Sequence, residues 1–155
     1  FFKQKTAYEI SLGLVGSEMC IRDRSDSAPA GGHVLVVGGP LANPAARELN
    51  PLANVTLEFT GPGSGRISVY GHSIEVSDLV YGRVDYAVAA VAEDGGRLVF
   101  YAEGFTRFGT RMAVLFLSDA WIGAPGLRYA VIKWVDSDGS GTVSPGDLVE
   151  PIVYG

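Results

Sequence analysis

Residues 98–135 read LVFYAEGFTRFGTRMAVLFLSDAWIGAPGLRYAVIKWV, and this stretch decides the fold. Leu98–Ala102 is a short apolar, aromatic run of the kind that fits a core strand. From Thr106 to Trp121, Phe108, Met112, Leu115 and Phe116 recur at helical spacing, and Val114 and Leu117 widen the apolar stripe. The pattern predicts a long, largely buried helix over 106–121, stopped by Gly123 and Pro125-Gly126. Arg128–Val135 (RYAVIKWV) reads as the last clear core strand. Strand, helix and strand over this length allow a parallel, right-handed crossover.

Working outward, Tyr86–Val91 and Leu98–Ala102 flank Glu93-Asp94-Gly95-Gly96, a hairpin signal. Asn54–Phe59 alternates apolar and polar positions, and Arg66–Tyr70 and Ser73–Val76 give two further short strands. His33–Val37 (HVLVV) suits a strand buried on both faces, closed by Gly38-Gly39-Pro40. Asn43 is a good helix N-cap and Pro44 suits the first helical position, so a short helix is predicted over 44–49, ended by Asn50-Pro51. The whole predicts an α/β fold: a mixed β-sheet with two helices, 44–49 and 106–121, in a single domain over 33–155.

Residues 1–24 read differently. KQKTAYEI at 3–10 and LVGSEMCIRDR at 14–24 back-translate, in one frame and in the right order, to strings that resemble the two halves of a sequencing-library adapter. Ser11–Gly13 fall where an index would lie. Residues 1–24 are therefore expected to be an adapter artefact and are set aside before fold reasoning. Ser25–Gly32 (SDSAPAGG) reads as a flexible linker, and 33–155 as the C-terminal fragment of a longer protein.

Setting 1–24 aside changes the chemistry on offer. Removing four Lys and Arg and three Asp and Glu from totals of 12 and 17 leaves 8 and 14, a net charge of −6. Cys20, the only cysteine, falls in the excluded segment, so disulfide, thiolate and zinc–cysteine chemistry are excluded. An acidic domain without a basic patch argues against nucleic-acid or anionic-membrane partners. No apolar run approaches the ~20 residues that span a bilayer.

Asp136–Asp147 reads DSDGSGTVSPGD and follows the twelve-residue calcium loop position by position. Asp136 stands at position 1, Asp138 at 3, Ser140 at 5, Thr142 at 7 with its backbone carbonyl, Ser144 at 9 and Asp147 at 12. Gly141 occupies position 6, where the chain turns sharply, and Val143 the apolar anchor at 8. A hard cation wants several oxygens at about 2.3–2.6 Å, and alternate residues around a tight turn supply them. Ser140 is neutral where Asp or Asn binds better, and Asp147 is shorter than the usual bidentate Glu. The competing reading is a polar, Gly-rich hairpin turn.

Other motifs carry less. Asn54-Val55-Thr56 is a glycosylation sequon placed in a predicted strand. Val36–Pro40 (VVGGP) lacks phosphate-loop spacing and reads as a strand-to-helix turn. Thr106, Arg107 and Thr110 could hold an anion at the helix start, but capping by Thr106 is preferred. His33 and His72 have no acid partner in register, and no nucleophile motif occurs, so no catalytic residues are assigned and an enzyme is not expected.

VVGGPLANP at 36–44, GFTRFGTRMAVLFL at 104–117 and YAVIKWVDSDGSGTVS at 129–144 resemble, in that order, modules of archaeal surface-layer proteins and related cell-surface proteins. The resemblance implies an extracellular structural role: self-assembly into a surface lattice, frequent glycosylation, and divalent ions stiffening the array. The alternative is a calcium-stapled ligand- or carbohydrate-binding module of a secreted protein.

Overall fold

The computed structural model describes residues 31–119 and 126–155. The adapter-like residues 1–24, most of the linker, and Ala120 and Trp121 of the predicted helix lie outside the described residues. The elements are β1 (Val34–Val37), α1 (Pro44–Leu49), one turn of 3-10 helix (Asn50–Leu52), β2 (Thr56–Gly61), β3 (Ser64–Val69), β4 (His72–Val76), β5 (Val84–Asp94), β6 (Arg97–Gly104), α2 (Arg107–Asp119), β7 (Tyr129–Val135) and β8 (Leu148–Tyr154).

Five strands form one sheet in the order β1-β6-β5-β7-β8, and β2-β3-β4 form a second. In the large sheet β1 pairs parallel with β6, and the other neighbours are antiparallel. Strands β6 and β7 both oppose β5, so they run parallel to each other with β5 between them. Helix α2 therefore crosses over a strand instead of joining neighbours.

The expected α/β class is corrected: among the described residues the chain is mostly β, with eight strands in two sheets and helices of only six and thirteen residues. The reason lies in β2, β3 and β4. Each is short and offers one apolar face, so together they need a second layer to cover. They pack on the face of the large sheet away from α2, where the α/β reading had assumed no sheet. The helix read over 106–121 begins at Arg107 because Thr106 is its cap: the Thr106 hydroxyl oxygen accepts from the Phe108 N–H at 3.2 Å. Strand β8 was not anticipated at all. Pro151 sits in its middle, which marks it as an edge strand, and Ile152 is an extra residue in its pairing with β7.

Alternation along the central strands makes two cores. Tyr86, Val88, Ala90, Val99, Tyr101 and Val131 point toward the small sheet and α1. Ala89, Ala130, Ile132 and Trp134 point toward α2, where Phe108 and Met112 meet them. The Phe108 and Trp134 rings stack 5.3 Å apart at 3°.

Helix α2 is fixed by one buried carboxylate. Asp85, on β5, is 1% exposed. Its Oδ2 accepts from the Gly109 N–H (2.7 Å), the Thr106 N–H (3.1 Å) and the Thr106 hydroxyl (2.5 Å), and its Oδ1 from the Tyr86 N–H (2.8 Å). The helix N-terminus, with its unpaired N–H groups and positive dipole end, is thus filled from within the protein. The close approach explains two glycines. A Cβ on Gly109 would lie 2.7 Å from the Tyr86 carbonyl oxygen and 2.8 Å from Asp85 Oδ2, and one on Gly104 would run into the backbone of Gly109 and Thr110. Gly109→Ala should therefore lower unfolding stability by about 2 kcal/mol. Gly61→Ala, whose methyl would meet nothing within 4 Å, should change it by less than about 0.5 kcal/mol. Urea titration of both variants checks this, and equal effects would remove the proposed role of the Asp85 contact.

Candidate functional site

The acidic loop is the connection between β7 and β8, whose last register pair is Val135 with Leu148. Gly139 and Gly141 adopt left-handed φ of 70° and 69°, which glycine takes without strain and which fold the loop back on itself. That fold turns backbone N–H groups inward. Asp136 accepts from the Ser140 and Gly141 N–H groups at 3.1 and 3.0 Å. Asp138 accepts from the Ser140 N–H at 2.9 Å and the Ser144 hydroxyl at 2.6 Å. Asp147 accepts from the Ser144 N–H at 2.7 Å and from the Trp134 indole at 2.8 Å.

As a result one carboxylate oxygen from each of Asp136, Asp138 and Asp147 lies within 4.8 Å of the others, a cluster able to hold a metal ion. The hydroxyl donors, Ser144 first and then Ser140, hold the Asp138 carboxyl well below the usual range. Asp147 Oδ1 is buried without a hydrogen-bond partner. The remaining predicted ligands turn inward within the loop: the Ser140 hydroxyl donates to the Thr142 carbonyl at 2.9 Å, and Ser144 is committed to Asp138. Val143 is 5% exposed and joins the core beside Phe108 and Trp134, so the loop is anchored at the position the calcium pattern assigns to an apolar residue.

The other sequence candidates separate from this cluster. Asn54 lies not in a strand but in an exposed turn before β2, with φ of 50°. Asn tolerates that conformation, and the sequon side chain stands at the surface. The Gly38–Pro40 segment is the expected strand-to-helix turn: Asn43 Oδ1 accepts from the Ala45 N–H at 3.0 Å, and Asn43 Nδ2 donates to the Val37 carbonyl at 3.1 Å. His33 Nδ1 accepts from the Leu98 N–H at 3.0 Å, and His72 stacks on Tyr129. Thr106 and Thr110 serve the Asp85 cap and its helix, as expected of capping residues.

The chain matches no known protein family, no curated protein and no solved structure. No described helix is long and apolar enough to cross a membrane.

Sequence reasoning missed a buried polar pair. Glu103, near the end of β6, has no exposed surface, and Asn50 is 6% exposed. Asn50 Nδ2 donates to Glu103 Oε2 at 3.3 Å and to the Val55 carbonyl at 3.2 Å. Glu103 Oε1 and Asn50 Oδ1 have no partner. A signal was present: Val99, Tyr101 and Glu103 alternate onto one face, so a strand that buries the first two buries the third. Burial pushes the Glu103 carboxyl up to about 7, against which the Asn50 hydrogen bond acts only weakly.

The folded protein therefore holds this proton more tightly than the unfolded chain does. Between pH 4.5, the ordinary value, and about 7 the native state binds more protons, so the Glu103 contribution makes stability fall as pH rises through that window. The loss is up to about 3 kcal/mol. Asp85, also raised by burial, acts in the same direction, and Asp138 in the opposite one. Glu103→Gln should cancel the Glu103 share alone. Urea midpoints of the variant at acid and at mildly alkaline pH should differ less than those of the parent chain. An unchanged pH slope would mean that Glu103 does not titrate in this range.

Proposed function

We propose that this chain is a non-catalytic structural module of a cell-surface protein whose last strand is stapled by a divalent cation, calcium foremost. The observation that carries this reading is the convergence of Asp136, Asp138 and Asp147 within 4.8 Å, at positions 1, 3 and 12 of a calcium-type loop. Calcium supplies the positive charge that three close carboxylates lack, and it accepts six to eight oxygens in flexible geometry. The Ser140 and Ser144 hydroxyls and the Thr142 carbonyl stand within the same loop to complete such a shell. An ion there ties the end of β7 to the start of the edge strand β8.

A further feature supports a place outside the cell: the sequon at Asn54, exposed in a turn. Self-assembly into a surface lattice is the form of this role that the resemblance implies.

Titration calorimetry of the chain with calcium should give a Kd on the order of 0.1–1 mM, the range of extracellular calcium modules. Calcium at about ten times the upper end of that range should then stabilise the fold by about 1.5–3 kcal/mol. Asp136→Ala should abolish both effects, and magnesium should give less heat than calcium. Indistinguishable heats for the chain and for Asp136→Ala would sink the staple. Ordered sheets in electron micrographs on adding calcium are the expected sign of a lattice. A calcium-loaded chain that stays monomeric at every concentration would overturn the lattice while leaving the staple intact.

A further inference from the structure

A cleft of about 860 Å³ opens at the carboxyl ends of the parallel strands β1 and β6. Its volume is that of a small-molecule site, for which about 300–1,000 Å³ is usual. It is lined by the Gly38–Leu41 turn, by Leu57 and Phe59 of β2, by Phe105 and by the first turns of α2. The walls are largely apolar, and two of their side chains stand in water although they face a concave surface: Leu41 is 98% and Phe59 63% exposed. An apolar body in the cleft would cover both, gaining roughly 25 cal/mol for each Å² removed from water.

Glu103 is the acidic side chain of this cleft among the described residues, and it is fully buried with Oε1 unpartnered. Gly39, also on the cleft wall, lies beside the carboxyl: a methyl placed there would sit 3.4 Å from Oε2. Among the described residues no ion pair reaches the carboxyl: Arg66–Glu75, Arg97–Asp94 and Lys133–Asp78 all lie elsewhere. Arg107 and Arg111 also line the cleft; Arg107 is exposed and held over the Phe108 ring at 4.8 Å.

We propose that this cleft binds a small organic amine with an apolar body, its ammonium group donating to Glu103 and its body lying between Leu41, Phe59 and Phe105. A buried carboxyl without a counter-charge is costly, and an ammonium supplies the missing donor and the missing charge together. Such charge-assisted hydrogen bonds are roughly twice as strong as neutral ones. The site needs no cation in the acidic loop, although Gly141 and Thr142 of that loop lie on its wall.

Binding of phenethylamine, 2-phenylethanol and 3-phenylpropionate to the full chain, measured by calorimetry with saturating calcium and again with chelator, tests the assignment. The three probes share a body and differ in the head group. Phenethylamine should bind at least about tenfold more tightly than the alcohol, and the acid weakest. Glu103→Gln should lose that preference, and Phe59→Ala should weaken amine and alcohol alike while keeping it. Equal affinity for amine and alcohol, an amine affinity untouched by Glu103→Gln, or no binding of any probe would each overturn the proposal. An amine preference that persists in chelator, beside failed calcium binding, would show this site to hold where the staple does not.

Discussion

The contact on which the rest of the structure depends is the Asp85 carboxylate against the first turn of α2. It joins the central strand of the large sheet to the one helix that covers that sheet's other face. Four donors converge on it, so its burial cost is partly offset by charge-assisted hydrogen bonds and by the positive end of the helix. From there order is passed along by contact. The fixed first turn places Phe108, Phe108 stacks on Trp134, and the Trp134 indole donates to Asp147 at the end of the acidic loop. The loop is thus held at one end by the strand it leaves and at the other by a core aromatic that reaches back to the helix cap.

Carboxylates in this protein divide first by burial and then by the number of donors each receives. Asp138 is exposed and fully supplied by serines, so its charged form is favoured. Asp85 has four donors, yet burial still raises its pKa, so desolvation outweighs them. Glu103 has one donor in an equally dry place and is pushed furthest toward the neutral form of the two buried acids that face no cation. An acid that structure needs is given all its donors. An acid left short of them is where a ligand has something to add.

Much of this was legible in the sequence, and the failures have a common cause. Helix α1 could be placed to the residue because Asn43 and Pro44 act locally, through one hydrogen bond and one fixed φ. The β5–β6 hairpin and the folded acidic loop were legible for the same reason. Asn54 was misplaced because the Asn50–Leu52 turn continues past the helix and delays β2 to Thr56. The second sheet was not legible, since alternation says which face of a strand is buried but not what covers it. The partners of Asp85 and Glu103 were invisible because Thr106 and Gly109 lie more than twenty residues from Asp85, and Asn50 more than fifty from Glu103. Only the parity of position 103 with Val99 and Tyr101 pointed inward.

The edge strand bears on how copies of this chain could meet. An open β edge invites pairing with another chain unless it is short, bulged or interrupted. Strand β8 is bulged at Ile152, and Pro151 has no N–H to offer a further strand. At the other edge β1 is only four residues long. Extension of the large sheet across molecules is therefore obstructed on both sides. A lattice built by this chain would then form through the small sheet, whose edges are β2 and β4, or through side chains on its faces and loops. The exposed Leu148 and Tyr154 lie on the strand that the cation staple would hold in place.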